Sequence, residues 1–262
     1  MLHRLSVSLW AVAAVSFLVS TAMATPTLSV VTQTLSPRDD PALSPYVQEY
    51  LSKSMITNPG NATWRWSDPA TPNQNRDMGQ TWTPATSYLL DKVAVRVAND
   101  APTSVIGHTV NLDLFRVDGS GNFVLLGRGL GGTLAVTPTK TTIKADSYLV
   151  FDVPDTWLSQ GNEYGFLLEF DSKNSNNKID LYHDTAANTY AGGTRIDRLW
   201  DTGTARPAEV AVGSIDSTIS RPLGGTGGAS TYDMVFYTMS PEPATLSLLG
   251  LGLLAAMRRR GK

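Results

Sequence analysis

Between residues 25 and 240 the apolar positions recur every second residue, and that period predicts strands. In LLDKVAVRV (89–97), Val93, Val95 and Val97 share one face and Lys92, Ala94 and Arg96 the other, as a half-buried strand requires. VNLDLFRV (110–117) and FVLLGRG (123–129) are joined by Asp118-Gly119-Ser120-Gly121-Asn122, residues that tolerate positive φ, and they predict a hairpin. SYLVFDV (147–153) predicts a strand stopped by Pro154, and PDTWLSQG (154–161) at most a helical turn. NEYGFLLEF (162–170) resumes the alternation with Tyr164, Phe166, Leu168 and Phe170 inward; KIDLYHD (178–184) and YDMVFYTM (232–239) complete the set. Only SPYVQEYLSKSM (44–55) has the pattern of a short helix in this body, and RPLGGTGGAS (221–230) reads as a surface loop. No repeat of fixed period is visible. About eight to ten short strands separated by Gly, Pro and Asn turns point to an all-β fold, an antiparallel β-sandwich of jelly-roll type.

Both ends break the period. Met1 to Arg4 is a short basic lead, Leu5 to Val19 is almost wholly apolar, and Ala22-Met23-Ala24 is a small-x-small site. Together they predict a signal peptide, residues 1–24, cut after Ala24 by signal peptidase. At the other end Ala244 to Met257 is apolar but for Thr245 and Ser247 and is followed by Arg258, Arg259, Arg260 and Lys262. As a helix these residues reach about 21 Å, short of the roughly 30 Å hydrocarbon core. The arginines can snorkel to the headgroups, lengthen the span and hold that end on the cytoplasmic side. Arg4 gives the same orientation, which leaves the β-sandwich domain, residues 25–239, outside.

Pro241-Glu242-Pro243, a short transmembrane segment and a basic finish, together residues 240–262, resemble the PEP-CTERM sorting signal that exosortases recognise in Gram-negative bacteria making extracellular polysaccharide. The resemblance implies that the tail is recognised in the membrane and removed near the tripeptide. Pro241, Glu242 and Pro243 would then be a substrate for another enzyme, and the partners would be an exosortase-type enzyme and signal peptidase. GQTWTPATSYLLDKVAVRV (79–97) and WLSQGNEYGFLLEF (157–170) resemble segments of the jelly-roll modules found in bacterial surface proteins with interchangeable anchors. That second resemblance implies fold and exposure, with no activity attached.

Composition agrees with export. With no cysteine, the chain makes no disulfide and no thiolate metal site, so about 216 residues must hold together through a hydrophobic core. The formal charge is −2, but Arg4, Arg258, Arg259, Arg260 and Lys262 all lie in the tails. Without them, and without Glu242 if the cut precedes it, the body carries about −6 or −7, a surface that repels nucleic acid.

Candidate chemistry is thin. Once His3 is removed only His108 and His183 remain, too few for a three-histidine metal site, and His183 in YHD reads as a solvated turn residue. No Gly-x-Ser-x-Gly elbow presents a serine nucleophile. Glu163 and Glu169 share a strand face, yet six residues place them about 20 Å apart, too far for a glycosidase pair. Asp152, Asp180 or Asp233 could still converge from separate strands. DSKNSNNKID (171–180) offers oxygen ligands from Asp171 to Asp180, but Lys173 and the missing central glycine favour a polar turn over a calcium loop. No cofactor and no metal are expected.

Trp64 and Trp66 lie two apart in TWRWSD, so in a strand both rings face one way, about 6.6 Å apart. Exposed, they would form a platform for sugar rings; buried, they would fill one end of the core, which is the reading their apolar area favours. Trp82, Trp157 and Trp200 read as core or sheet-edge packing. The sequence thus predicts an exported, non-catalytic surface or matrix protein, structural or weakly carbohydrate-binding, with extracellular polysaccharide as a candidate partner. The competing class is a secreted polysaccharide-active hydrolase.

Overall fold

The computed structural model describes residues 26–32, 44–51, 55, 59–65, 75–134, 143–171, 178–184, 190–200, 208–221 and 233–241. Fourteen strands are found among them: β1 (Thr27–Thr32), β2 (Val47–Leu51), β3 (Pro59–Arg65), β4 (Asn75–Trp82), β5 (Tyr88–Arg96), β6 (Thr109–Val117), β7 (Phe123–Gly127), β8 (Gly132–Thr133), β9 (Ser147–Leu158), β10 (Tyr164–Phe170), β11 (Lys178–Asp184), β12 (Arg195–Trp200), β13 (Asp233–Met234) and β14 (Phe236–Met239). They form two open antiparallel sheets. The smaller runs β1-β9-β5-β14-β2; the larger runs β13-β11-β3-β4-β10-β6-β7, with β12 beside β4 and β8 beside β6. This is an all-β sandwich, consistent with a jelly-roll-like module.

The alternation read from the sequence packs the sheets together. Val93, Val95, Leu149, Phe151 and Phe236 from the smaller sheet meet Trp82, Leu112, Phe166, Leu168 and Leu181 from the larger in one buried cluster. Trp82, Phe166 and Phe236 lie 6.2–6.4 Å apart between ring centroids and join the two layers. The expected hairpin is β6–β7, where Asp118 Oδ1 accepts the backbone N–H of Ser120 and of Asn122.

Four expectations are corrected. Residues 47–51 are strand β2, not a short helix, because pairing with β14 outweighs local helix propensity. β9 runs through Pro154 to Leu158: Leu90 faces Thr156 and Lys92 faces Asp152, so three residues of β9 bulge opposite Asp91 and the missing proline N–H breaks no ladder bond. β10 is buried on both faces, since Leu167 packs with Phe115, Phe123, Leu125, Ile196 and Ile219 in a second cluster that includes the 208–221 segment. His183 is 5% exposed, not a solvated turn residue, because β13 and β3 flank it on both sides. The expected signal peptide and C-terminal helix lie outside the described residues; among the described residues no helix is long and apolar enough to cross a membrane.

Candidate functional site

The outer face of the larger sheet carries charge that the period-two pattern directs away from the core, and the 208–221 segment covers it. Asp77 on β4 pairs in register with Arg198 on β12, and the guanidinium bridges three carboxylates. Arg198 Nη1 lies 3.2 Å from Asp77 Oδ2 and 3.9 Å from Glu169 Oε2, while Nη2 donates to Asp216 Oδ2. Desolvation alone would lower the Arg198 pKa; Asp77, Asp216 and Glu169 outweigh it and raise it. Beside them, burial first and then the Glu169 charge push Asp113 up to about 8, against a hydrogen bond from the Gly129 N–H. A side-chain hydrogen bond with Glu169 pushes it in the same upward direction.

Next to this group, Arg195 Nη2 donates to Asp197 Oδ2 at 2.9 Å. Gln80 Nε2 donates to Asp233 Oδ1, and Gln80 Oε1 accepts the Met234 N–H. Burial, followed by Arg195 and Arg76, pushes His183 down to about 4, so its ring is neutral. Asp113 and Glu169 are 1% and 2% exposed. A carboxyl with a raised pKa beside a second carboxyl is an arrangement that acid–base catalysis uses, but both are buried here, out of reach of a substrate. Its chemistry is cohesive: one cation closes several strands and a loop. Among the described residues no three acidic or histidine side chains are grouped to hold a metal ion.

A second feature lies at the end of the smaller sheet. Thr27, Asp152, Lys92, Met239 and Val47 stand opposite one another in one row across all five strands. β14 leaves the sheet at this row. The Ser240 N–H still donates to the Tyr46 carbonyl at 2.9 Å, and Gln48 Nε2 donates to Ser240 Oγ at 3.1 Å; Pro241 follows at once. Because β14 lies between β5 and β2, the chain is held in the ladder to the residue before the tripeptide. Asp152 and Asp155 at this end have raised pKa values, from desolvation first and then from Asp91.

A family model for the PEP-CTERM protein-sorting motif matches residues 241–260. The chain carries a PEP-CTERM sorting signal. The motif marks an exported protein, transiently anchored in the membrane before an exosortase processes it. No curated protein and no solved structure matches the chain.

Of the residues singled out in the sequence, Pro241 lies two residues past the end of β14, and Trp64 sits in β3 opposite Ile179. Ala24, Trp66, Glu242, Pro243, Arg258, Arg259 and Arg260 lie outside the described residues, as does the 172–177 stretch of the calcium reading. Asp152 belongs to the smaller sheet and Asp180 and Asp233 to the larger, and Asp180 is four residues from Asp184, the partner of Asp233. Trp82 is core, as expected, but Trp157 is 63% exposed: β1 begins at Thr27, opposite Asp152, so among the described residues the end of β9 has no strand beside it on that side. The buried charge cluster was not anticipated. Part of its signal was available: Asp113 in TVNLDLFRV and Glu169 in YGFLLEF interrupt apolar strands, whereas Asp77 and Arg198 sit in strands that are polar along much of their length.

Proposed function

We propose that the domain is a non-catalytic surface or matrix module, structural or weakly carbohydrate-binding, delivered through signal peptidase and released by the exosortase into extracellular polysaccharide. One observation carries this reading: the folded ladder ends at Ser240, and the sorting tripeptide begins at the next residue. The sandwich through Ser240 is thus the cargo of the signal that follows it. The sealed Asp113–Glu169 pair supports a cohesive over a hydrolytic role, since catalysis needs substrate contact.

Mass spectrometry of the protein from its host, with and without the exosortase, tests the sorting half. Loss of residues beyond Pro241 only when the enzyme is present is expected; an intact Lys262 in both strains refutes it. Binding of the mature domain to the host's own polysaccharide, compared with a Trp64→Ala, Trp66→Ala variant that still folds, tests the sugar platform. Equal binding by both removes the platform, and release of reducing ends refutes the non-catalytic reading.

A further inference from the structure

The sorting reading places a membrane close to one particular end of the sandwich, and the register shows which. At the row of Thr27, Asp152, Lys92, Met239 and Val47, β1 begins and β14 ends, so both chain ends emerge from the same end of the sheet. Three strand spacings separate the two exits, about 14 Å. Among the described residues of the smaller sheet, β5 and β9 stay paired farthest past the row as a two-stranded projection, in which Leu89 pairs with Trp157 and Tyr88 with Leu158, the inward side chains of Tyr88 and Leu158 remaining in the core. Trp157, the largest exposed apolar side chain among the described residues, is on it.

The heights agree. Leu89 is three residues past Lys92, so Trp157 stands about 10 Å beyond the row. From Met239 to Ala244, where the apolar tail begins, five residues reach at most about 17 Å. The headgroup layer occupies roughly 5–8 Å outside the hydrocarbon. At the full reach of those residues, that layer falls at the height of Trp157. The projection is braced for such a contact: Gln160 N–H donates to Ser87 Oγ at 2.8 Å, Gly161 N–H to the Pro84 carbonyl at 3.1 Å and Ser159 N–H to the Tyr164 hydroxyl at 3.0 Å.

We propose that the β5–β9 projection, led by Trp157, is the surface on which the domain rests against the lipid headgroups while its tail is inserted. Tryptophan suits this position, with an apolar body for the acyl boundary and an N–H for the wet side. Asp91, Asp152 and Asp155 nearby oppose an anionic surface, so the contact is interfacial and not electrostatic. Cutting the tail leaves one tryptophan to hold the domain, which favours its departure. The proposal rests on the sorting reading and adds the orientation.

The test uses the signal-free chain with its tail intact, reconstituted into phosphatidylcholine vesicles brominated in the upper acyl chain. The wild type should show tryptophan quenching that is mostly lost in Trp157→Phe. Because the native chain has no cysteine, an environment-sensitive dye can be placed at Gln160→Cys on the projection and at Lys144→Cys near the start of β9, at the opposite end. Insertion should shift the first dye to shorter wavelength and leave the second unchanged. A vesicle-bound protein with equal quenching in wild type and Trp157→Phe, or with both dyes in water, overturns the orientation alone. A protein that never enters vesicles overturns the sorting reading with it.

Discussion

Replacing Arg198 with methionine removes the cation from a group of carboxylates while keeping the volume of the side chain. The side chains of Arg198, Asp77, Glu169 and Asp216 are only 4%, 1%, 2% and 4% exposed, so solvent screens little of what remains. Removing one partner of a buried ion pair costs about 3–5 kcal/mol, because the surviving charge has lost its solvation and its counter-ion. In a domain of this size each kcal/mol lowers Tm by about 2–4 °C. The mature domain should therefore melt roughly 6–20 °C lower, read by circular dichroism at pH 7. The loss has a diagnostic pH dependence. The penalty falls on negative charge left without its counter-ion, so the deficit is smallest in acid and grows as pH increases. A fall in Tm under about 3 °C, or a deficit that does not change between acid and neutral pH, would refute the claim that one guanidinium holds this face together.

Three further outcomes follow from the same geometry. Gly79→Ala puts a Cβ 1.7 Å from the Phe166 carbonyl oxygen, between strands that cannot part, and should cost at least about 3 kcal/mol or prevent folding; a Tm within about 3 °C of wild type contradicts the close approach. In the wild type, His183, depressed to about 4, contributes stability that is lost as pH falls from its unfolded value toward 4, whereas Asp113, raised to about 8, contributes stability that is lost as pH rises toward 8. Urea titrations should accordingly show stability falling between about pH 6.5 and 8, and Asp113→Asn should flatten that limb; an unchanged slope in the variant assigns the loss elsewhere. Inserting Gly-Ser-Gly between Ser240 and Pro241 should speed tail removal in pulse–chase labelling, because the processing enzyme no longer has to draw residues out of the β14 ladder; unchanged kinetics mean that Ser240 is not an obstacle.

Much of the molecule was legible because the informative signals are local. The valine alternation of β5 and the Asp118–Asn122 turn specify conformation within a few residues of themselves, and the structure contains both. The sorting signal is a matter of covalent order at one end of the chain, readable without a fold. Pro154 misled because a bulge absorbs the missing donor, and a bulge depends on the partner strand. Residues 47–51 misled because an amphipathic dozen satisfies helix and strand alike until β14 offers an edge.

What the tertiary structure alone decided is pairing. Residues 77, 113, 169, 198 and 216 are scattered across most of the chain, and each seen by itself is an ordinary polar residue in a strand or loop. Antiparallel registers bring them to one face, the 208–221 segment excludes water, and only then do their charges depend on one another. The same holds for the projection carrying Trp157. The sequence supplied the tryptophan and the tail, but that Trp157 and the exit of β14 lie at the same end of the smaller sheet follows from strand order, which the chain acquires through contacts between residues far apart along it.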